Sequence, residues 1–324
     1  MVSGIDTLGN GNRNPVQAKA IAALRLYEQQ KPPGLLEMAW LRFRKDRLAM
    51  LASAVLLVLI LIAAGAPILS QHVTHYTPEQ IELGATLKPP GYQRAPDRPT
   101  HWLGTDELGR DVLTRAIYGG RVSLYVSFLT VLVSLTVGTV VGALAGFYGG
   151  AVDSVLMRFV DIVISIPALF LLILIAVVFR PGVTGLAMVI ASLQWTGTSR
   201  LVRSEFLSLK ARDFVDAARV VGAGNMRIIF QHILPNATSP IIVSASLALG
   251  GVILTESALS FLGMGIQPPT PSWGNMLTNA QQYLYRAPFL IVIPGFFIFV
   301  TVLAGNLMGN GLRDALDPRM RGTK

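Results

Sequence analysis

Six apolar stretches separated by polar segments of unequal length dominate the pattern of the 324 residues. A helix needs about 20 apolar residues to cross about 30 Å of hydrocarbon. Residues 48–69, 122–147, 155–179, 185–202, 240–262 and 288–308 meet that requirement to differing degrees. The first carries no charge; the fourth is short and interrupted by Gln194 and Thr196. The pattern predicts an all-α membrane protein with six transmembrane helices in a domain spanning 48–310. Ahead of it, "GLLEMAWLRFRKDR" sets Leu36, Trp40 and Phe43 on one face among basic residues. That predicts an amphipathic interfacial helix over 35–47, with a polar start to the first span as the alternative. Residues 1–34 are rich in Gly, Asn and Pro. They are expected to form a partly disordered cytoplasmic tail rather than a signal peptide, which would need an early basic patch and an apolar core.

Composition agrees with this division. Hydrophobic residues make up 52% and charged residues 14% of the chain, against about 25% charged in a typical soluble domain. The net charge of +9 sits beside the apolar runs, so it marks the cytoplasmic flanks of membrane helices rather than a nucleic-acid surface. Lys and Arg set orientation. The segment before the first span holds eight (Arg13, Lys19, Arg25, Lys31, Arg42, Arg44, Lys45, Arg47), the loop 200–236 holds six, and the tail 311–324 holds four. With six spans these three segments share one side, predicted to be cytoplasmic, so both termini are cytoplasmic. The opposite loop 263–287 has only Arg286. The external loop 70–121 also carries six basic residues, which the rule tolerates because its weight fades in long loops.

The absence of cysteine excludes disulfides and thiolate chemistry. His72, His75, His101 and His232 lack metal-ligand spacing. Gly138, Gly142 and Gly146 recur every four residues and bare one helix face for close packing against another helix, in this chain or in a partner. Asp161, three residues after Arg158 and able to meet it on one face, and Glu256 fall inside apolar stretches. Each is either a substrate or proton site or a structural cap or interhelical hydrogen bond, and the second reading is the simpler.

Between the fourth and fifth spans, Leu207, Ala211, Phe214, Ala218 and Val221 recur at helical steps, edged by Arg212, Asp216 and Arg219. Gly222 and Gly224 are expected to stop this helix. A second piece over 226–234 should end at Pro235, with Asn236, Thr238 or Ser239 capping a span that begins at Pro240. This predicts a helix–turn–helix below the membrane, whose exposed face either docks a protein or is simply solvated.

The same residues resemble the signature of ABC importer permeases, an acidic-Ala-Ala triplet followed by Gly and a hydrophobic run ending in Leu-Pro. Here it is Asp216-Ala217-Ala218, Gly222 and Ile233-Leu234-Pro235. Asp stands where the family has Glu, and His232 where the general pattern has Ile. "QHILPN", "HWLGTDELGRDVLTRAIYGGRVSL", "MRFVDIVISIPALF" and "ESALSFLGMGIQPPTPSWGNML" are similar to the oligopeptide/dipeptide branch. The likeness covers most of 36–320 and leaves out 1–34 and about 71–98.

This resemblance implies a coupling helix within 212–224, with Arg212, Phe214, Asp216, Ala217, Ala218, Arg219, Val221, Gly222 and Pro235 coupling it to a separate ATPase. It also implies a second homologous permease subunit, two ATP-binding subunits that use ATP and Mg, an extracytoplasmic peptide-binding protein and a peptide substrate. The stretch "GIQPPTPSWGN", stiffened by three prolines, would be a docking ledge for that protein, or Trp273 a plain interfacial anchor. Members of the branch also serve nickel, glutathione and other small solutes. The chain carries no Gly-rich loop ending in Gly-Lys-Ser/Thr, so no catalytic residue, cofactor or metal is expected in it. The rival class is an autonomous ion-coupled secondary transporter or channel using Asp161 and Glu256, which an inverted repeat would support.

Overall fold

Asp46 sets where the first long helix starts. The structure, a computed structural model, describes residues 35–317; the tail expected over 1–34 and residues 318–324 of that expected over 311–324 lie outside the described residues. α1 (Leu35–Phe43) ends earlier than the expected 35–47. The Asp46 carboxylate then accepts the amides of Leu48 and Ala49 and caps α2 (Arg47–Ala64). Trp40 and Phe43 do not share one environment. Phe43 is buried against Ala49 and Ala315, while Trp40 is exposed.

The remaining helices of eight residues or more are α3 (Val112–Tyr148), α4 (Gly150–Ser165), α5 (Ala168–Phe179), α6 (Val183–Lys210), α7 (Asp213–Val220), α8 (Asn225–Phe261) and α9 (Phe289–Leu316). Among the described residues no strand forms; Tyr92↔His101 and Thr105↔Asp111 are isolated bridges in the loop before α3. Helix α2, helix α3, helix α8 and helix α9 are long and apolar enough to cross a membrane, and the α4–α5 pair adds a fifth if counted as one broken span.

Three departures from the sequence reading have local causes. The stretch 155–179 is not one rod. It bends by 79° between α4 and α5, where Ile166 turns extended ahead of Pro167, the conformation that a following proline favours. Pro235 does not end a helix. A π-helical segment (Ile228–Ile233) runs into Leu234–Phe261 with Pro235 in its first turn, where the missing N–H costs little. The side chains proposed as caps bond backward instead, Asn236 to the His232 carbonyl and Thr238 to that of Leu234. Finally, α3 begins within the expected external loop, α6 extends to Lys210, and α9 runs past 310 to Leu316.

The glycine stripe finds its partner inside the chain. A Cβ on Gly138 would lie 2.5 Å from Thr198 Cβ, one on Gly142 2.8 Å from Val202 Cβ, and one on Gly146 2.7 Å from Phe206 Cβ. All three contacts are on α6, so α3 and α6 meet backbone to backbone. This explains why α6, with Gln194, Thr196 and Ser199 in its middle, is less apolar than its neighbours. It buries Leu186, Ile190, Trp195, Ser199, Val202 and Phe206 against protein rather than lipid. Phe43 and Ala315 pack together at one end of the bundle, and Arg42 donates to the Asp317 carbonyl there at 3.1 Å. Val112, Ala280, Ala287 and Leu290 pack together at the other.

Candidate functional site

Helix α7 hangs on one buried side chain. Val215 is fully buried and packs with Phe147, Phe206, Ile228, Ile229 and Ile233 beneath α3 and α6; half-buried Ala218 and Ala223 flank it. The periodic stripe in the sequence missed Val215. It had joined Leu207 and Ala211 to Phe214, but the chain turns at Ala211–Arg212, so those residues belong to two helices. Arg212, Phe214, Asp216, Ala217, Arg219, Val221 and Gly222 are all exposed, as is Pro235 beyond the turn. Val220 and Val221 at the tip are 87% and 88% exposed. Arg219 Nη1 reaches Asp216 Oδ1 at 3.0 Å along the helix surface.

The tip ends in a Schellman turn. Gly222 N–H donates to the Arg219 carbonyl at 2.9 Å, and Ala223 N–H to that of Ala218 at 3.0 Å. Gly222 takes φ +86°, the left-handed conformation the motif needs. Gly224 instead sits in extended backbone at the start of α8. α7 is therefore a short charged helix, anchored on one face and presenting two bare valines on the other.

Within the bundle a cleft of about 570 Å³ opens between α5, α6 and α8. Leu169, Leu172, Ile190, Gln194, Thr255 and Ala258 lie along it, and no charged residue lines it. A smaller space between α3, α6 and α8 shares Gln194 and Gly197 with it.

Neither intramembrane acid lines this cleft. Asp161 pairs with Arg200 of α6 at 2.6 Å rather than with Arg158, and both side chains are about half exposed. Glu256 is fully buried and joins α8 to α3: it accepts from Ser123 Oγ at 2.9 Å and from Ser260 Oγ at 2.7 Å. The Ser123 hydroxyl in turn accepts the amide of Trp273 at 3.3 Å. Trp273 is no interfacial anchor. Its indole is buried, donates to the Ala116 carbonyl at 2.9 Å, stacks on Phe297 and fits only because Gly120 lacks a side chain. Glu256→Gln, which keeps one acceptor and the volume, should retain most stability. Glu256→Leu leaves Ser123 and Ser260 without their acceptor at about 1–3 kcal/mol per orphaned group, and should melt clearly lower in detergent. Equal melting of the two variants would refute the role given to this knot.

The segment before α3 holds a second polar knot. Buried His101 has Asp111 Oδ1 at 2.9 Å from Nδ1 and Glu82 Oε2 at 3.0 Å from Nε2, and stacks on Tyr76. Asp111 also caps α3 through the Thr114 amide at 2.7 Å. Burial opposes the imidazolium, but the hydrogen bonds and charges of Asp111 and Glu82 prevail and raise the His101 pKa above 6.5. Burial opposes the Glu82 carboxylate too, yet His101 and Arg94 hold its pKa below 4.5. Burial, then the Glu82 and Asp111 carboxylates, push the Tyr76 hydroxyl up to about 12, so it stays a neutral donor to the Pro99 carbonyl at 2.7 Å.

The signs follow from linkage. The raised His101 contributes stability that is complete below 6.5 and is lost as pH rises through its folded value. The lowered Glu82 contributes stability that is complete above 4.5 and is lost as pH falls through its folded value. Hydrogen-exchange protection over 75–111, taken relative to the intrinsic base-catalysed rate, should therefore be greatest between these limits and fall on the alkaline side. His101→Gln should remove the alkaline limb; a limb unchanged in that variant would refute the assignment.

Family models and relatives agree on what kind of chain this is. The model described as binding-protein-dependent transport system inner membrane component matches residues 138–322, and that of the N-terminal TM domain of oligopeptide transport permease C matches residues 34–90. The dipeptide transport system permease protein DppC of Haemophilus influenzae is 39% identical over 290 residues, covering 90% of this chain and 97% of that protein. DppC of Alkalihalophilus pseudofirmus is 41% identical over 283 residues, 87% of this chain and 90% of that protein. The glutathione transport system permease protein GsiD of Pectobacterium atrosepticum is 39% identical over 284 residues, with the same shares of 87% and 90%. A chain of the inward-facing MetNI methionine ABC transporter aligns with a TM-score of 0.49 at 18% identity, over 63% of this chain and 97% of that one.

Proposed function

We infer the role of this chain from its family: it belongs to the binding-protein-dependent transport system inner membrane components, the permeases of ABC importers. We propose that it forms half of the translocation path of an ATP-driven importer of short peptides. In this reading it works with a second homologous permease, two ATP-binding subunits that hydrolyse ATP with Mg, and an extracytoplasmic peptide-binding protein. Six crossings are made by α2, α3, the bent α4–α5 pair, α6, α8 and α9. They leave both termini and α7 in the cytoplasm. The clustering of Phe43 with Ala315 at one end of the bundle supports this arrangement.

The observation that carries the reading is α7, held from above by Val215 and ending in exposed Val220, Val221 and the Gly222 turn. As the coupling helix it docks its apolar tip in a cleft of the ATPase, while Arg212, Asp216 and Arg219 set register by charge. Peptide is favoured as the solute by the names of the dipeptide permeases, which match nearly end to end. The ion-coupled rival loses its support, because Asp161 sits in an ion pair and Glu256 in a serine knot away from the cleft.

The test is reconstitution of the complete importer in vesicles with a dipeptide and its binding protein. Uptake should require ATP inside the compartment that α7 faces. Accumulation by the purified chain alone, without nucleotide, would overturn the proposal.

A further inference from the structure

Gln194 is the polar outlier of the cleft. It lies near the middle of α6, about 16 Å along the axis from Val183 at 1.5 Å per residue. It borders both the large cleft and the smaller space beside it. Among the described residues its side-chain amide has no hydrogen-bond partner in the chain, whereas the nearby hydroxyls are satisfied locally: Thr196 donates to the Leu193 carbonyl and Thr255 to that of Gly251. An amide left unpaired in hydrocarbon is costly, so this one must meet water, a solute or a group of the second permease. Gly197, three residues on, leaves open space where a Cβ would stand, so a solute can approach the α6 backbone there.

An amide offers two N–H donors and one carbonyl acceptor, the complement of a peptide bond's own carbonyl and N–H. Nothing charged lines either space, so the wall has no means of sorting side chains by charge. We propose that Gln194 is the contact by which this subunit reads the backbone of a passing peptide, and that the uncharged wall around it makes passage indifferent to side-chain charge. The proposal rests on the peptide reading above and adds the residue and the part of the substrate it meets.

The test uses cells expressing the complete importer and two dipeptides, Ala-Lys and Ala-Glu, in competition. The wild type should take up both. Gln194→Glu puts a fixed negative charge beside the path and should shift the Ala-Lys to Ala-Glu uptake ratio on the order of tenfold towards the basic peptide; Gln194→Lys should shift it the other way. An unchanged ratio in variants present at wild-type levels would overturn the proposal. A second measurement covers variants that fail to accumulate. Since the chain contains no cysteine, Gln194→Cys supplies its only thiol. A methanethiosulfonate reagent should block uptake, and transported dipeptide should slow the block; a thiol that reacts without effect on uptake, or without protection, refutes it. If the wild type imports neither dipeptide, the peptide reading itself has failed, and that result is distinct from an unshifted ratio.

Discussion

Gly142→Leu should remove folded protein from the membrane fraction, and the fraction that survives should melt well below wild type in detergent. Gly142 sits at the centre of the α3–α6 crossing, where even a methyl group would meet the Ser199 carbonyl and stand 2.8 Å from Val202 Cβ. Overpacking ordinarily costs about 1–3 kcal/mol. The upper end applies here, because the obstacle is backbone and no rotamer change relieves it. Parting the two helices also opens the core of Ala143, Phe147, Val202 and Phe206 that anchors α7. Gly251 is the control. A Cβ there meets nothing within 4 Å, so Gly251→Ala should be neutral or slightly stabilising, as expected where the backbone is already helical. Wild-type melting of Gly142→Leu in thermal unfolding of the purified protein would disprove the close crossing.

Gly222→Leu should behave in the opposite way, with normal amounts of protein and at least a tenfold loss of uptake. A Cβ at Gly222 points into open space, so there is no clash within the chain. What remains is the left-handed backbone at φ +86°, which costs an ordinary residue roughly 1–2 kcal/mol. An exposed turn can relieve that strain by reshaping, and reshaping it moves Val220 and Val221. In the complex proposed above, the added side chain would also enter the contact with the ATPase. Gly222→Asn, which tolerates positive φ better, should keep most of the uptake. Assembly measured by co-purification, alongside ATP hydrolysis and uptake, separates lost docking from uncoupling. Normal uptake by well-expressed Gly222→Leu would remove α7 from the mechanism.

Much of this was legible in the sequence, for identifiable reasons. Long apolar runs define membrane helices because hydrocarbon offers no other solution. The four-residue spacing of Gly138, Gly142 and Gly146 marks a face directly, although only the structure names α6 as what lies against it. Gly222 pointed to the end of α7 because a glycine turn is a local signal, while Asp216-Ala217-Ala218 pointed to it only through the family resemblance. Illegible features depended on distant partners. Val215 looked like any valine until Ile228 and Phe147 closed around it. His101 gave no sign of its place between Glu82 and Asp111, which come together only when the loop closes. Trp273 suggested an interface until Gly120 supplied room to bury it. Gln194 was visible as a flaw in the fourth span, but its want of a partner is a fact of packing. The π-helical segment has no counterpart in apolar periodicity at all.

The meshing of α3 with α6 also decides where the molecule can bend. Two helices whose backbones interlock at three successive turns cannot slide or roll past each other without unlocking all three, so they travel as one rigid strut with α7 slung beneath. Any stroke delivered to that strut has to be absorbed where the ladder of helical bonds is already irregular. The Ile166–Pro167 break and the wide-wound turn over Ile228–Ile233 are two such places, where such a stroke would be taken up.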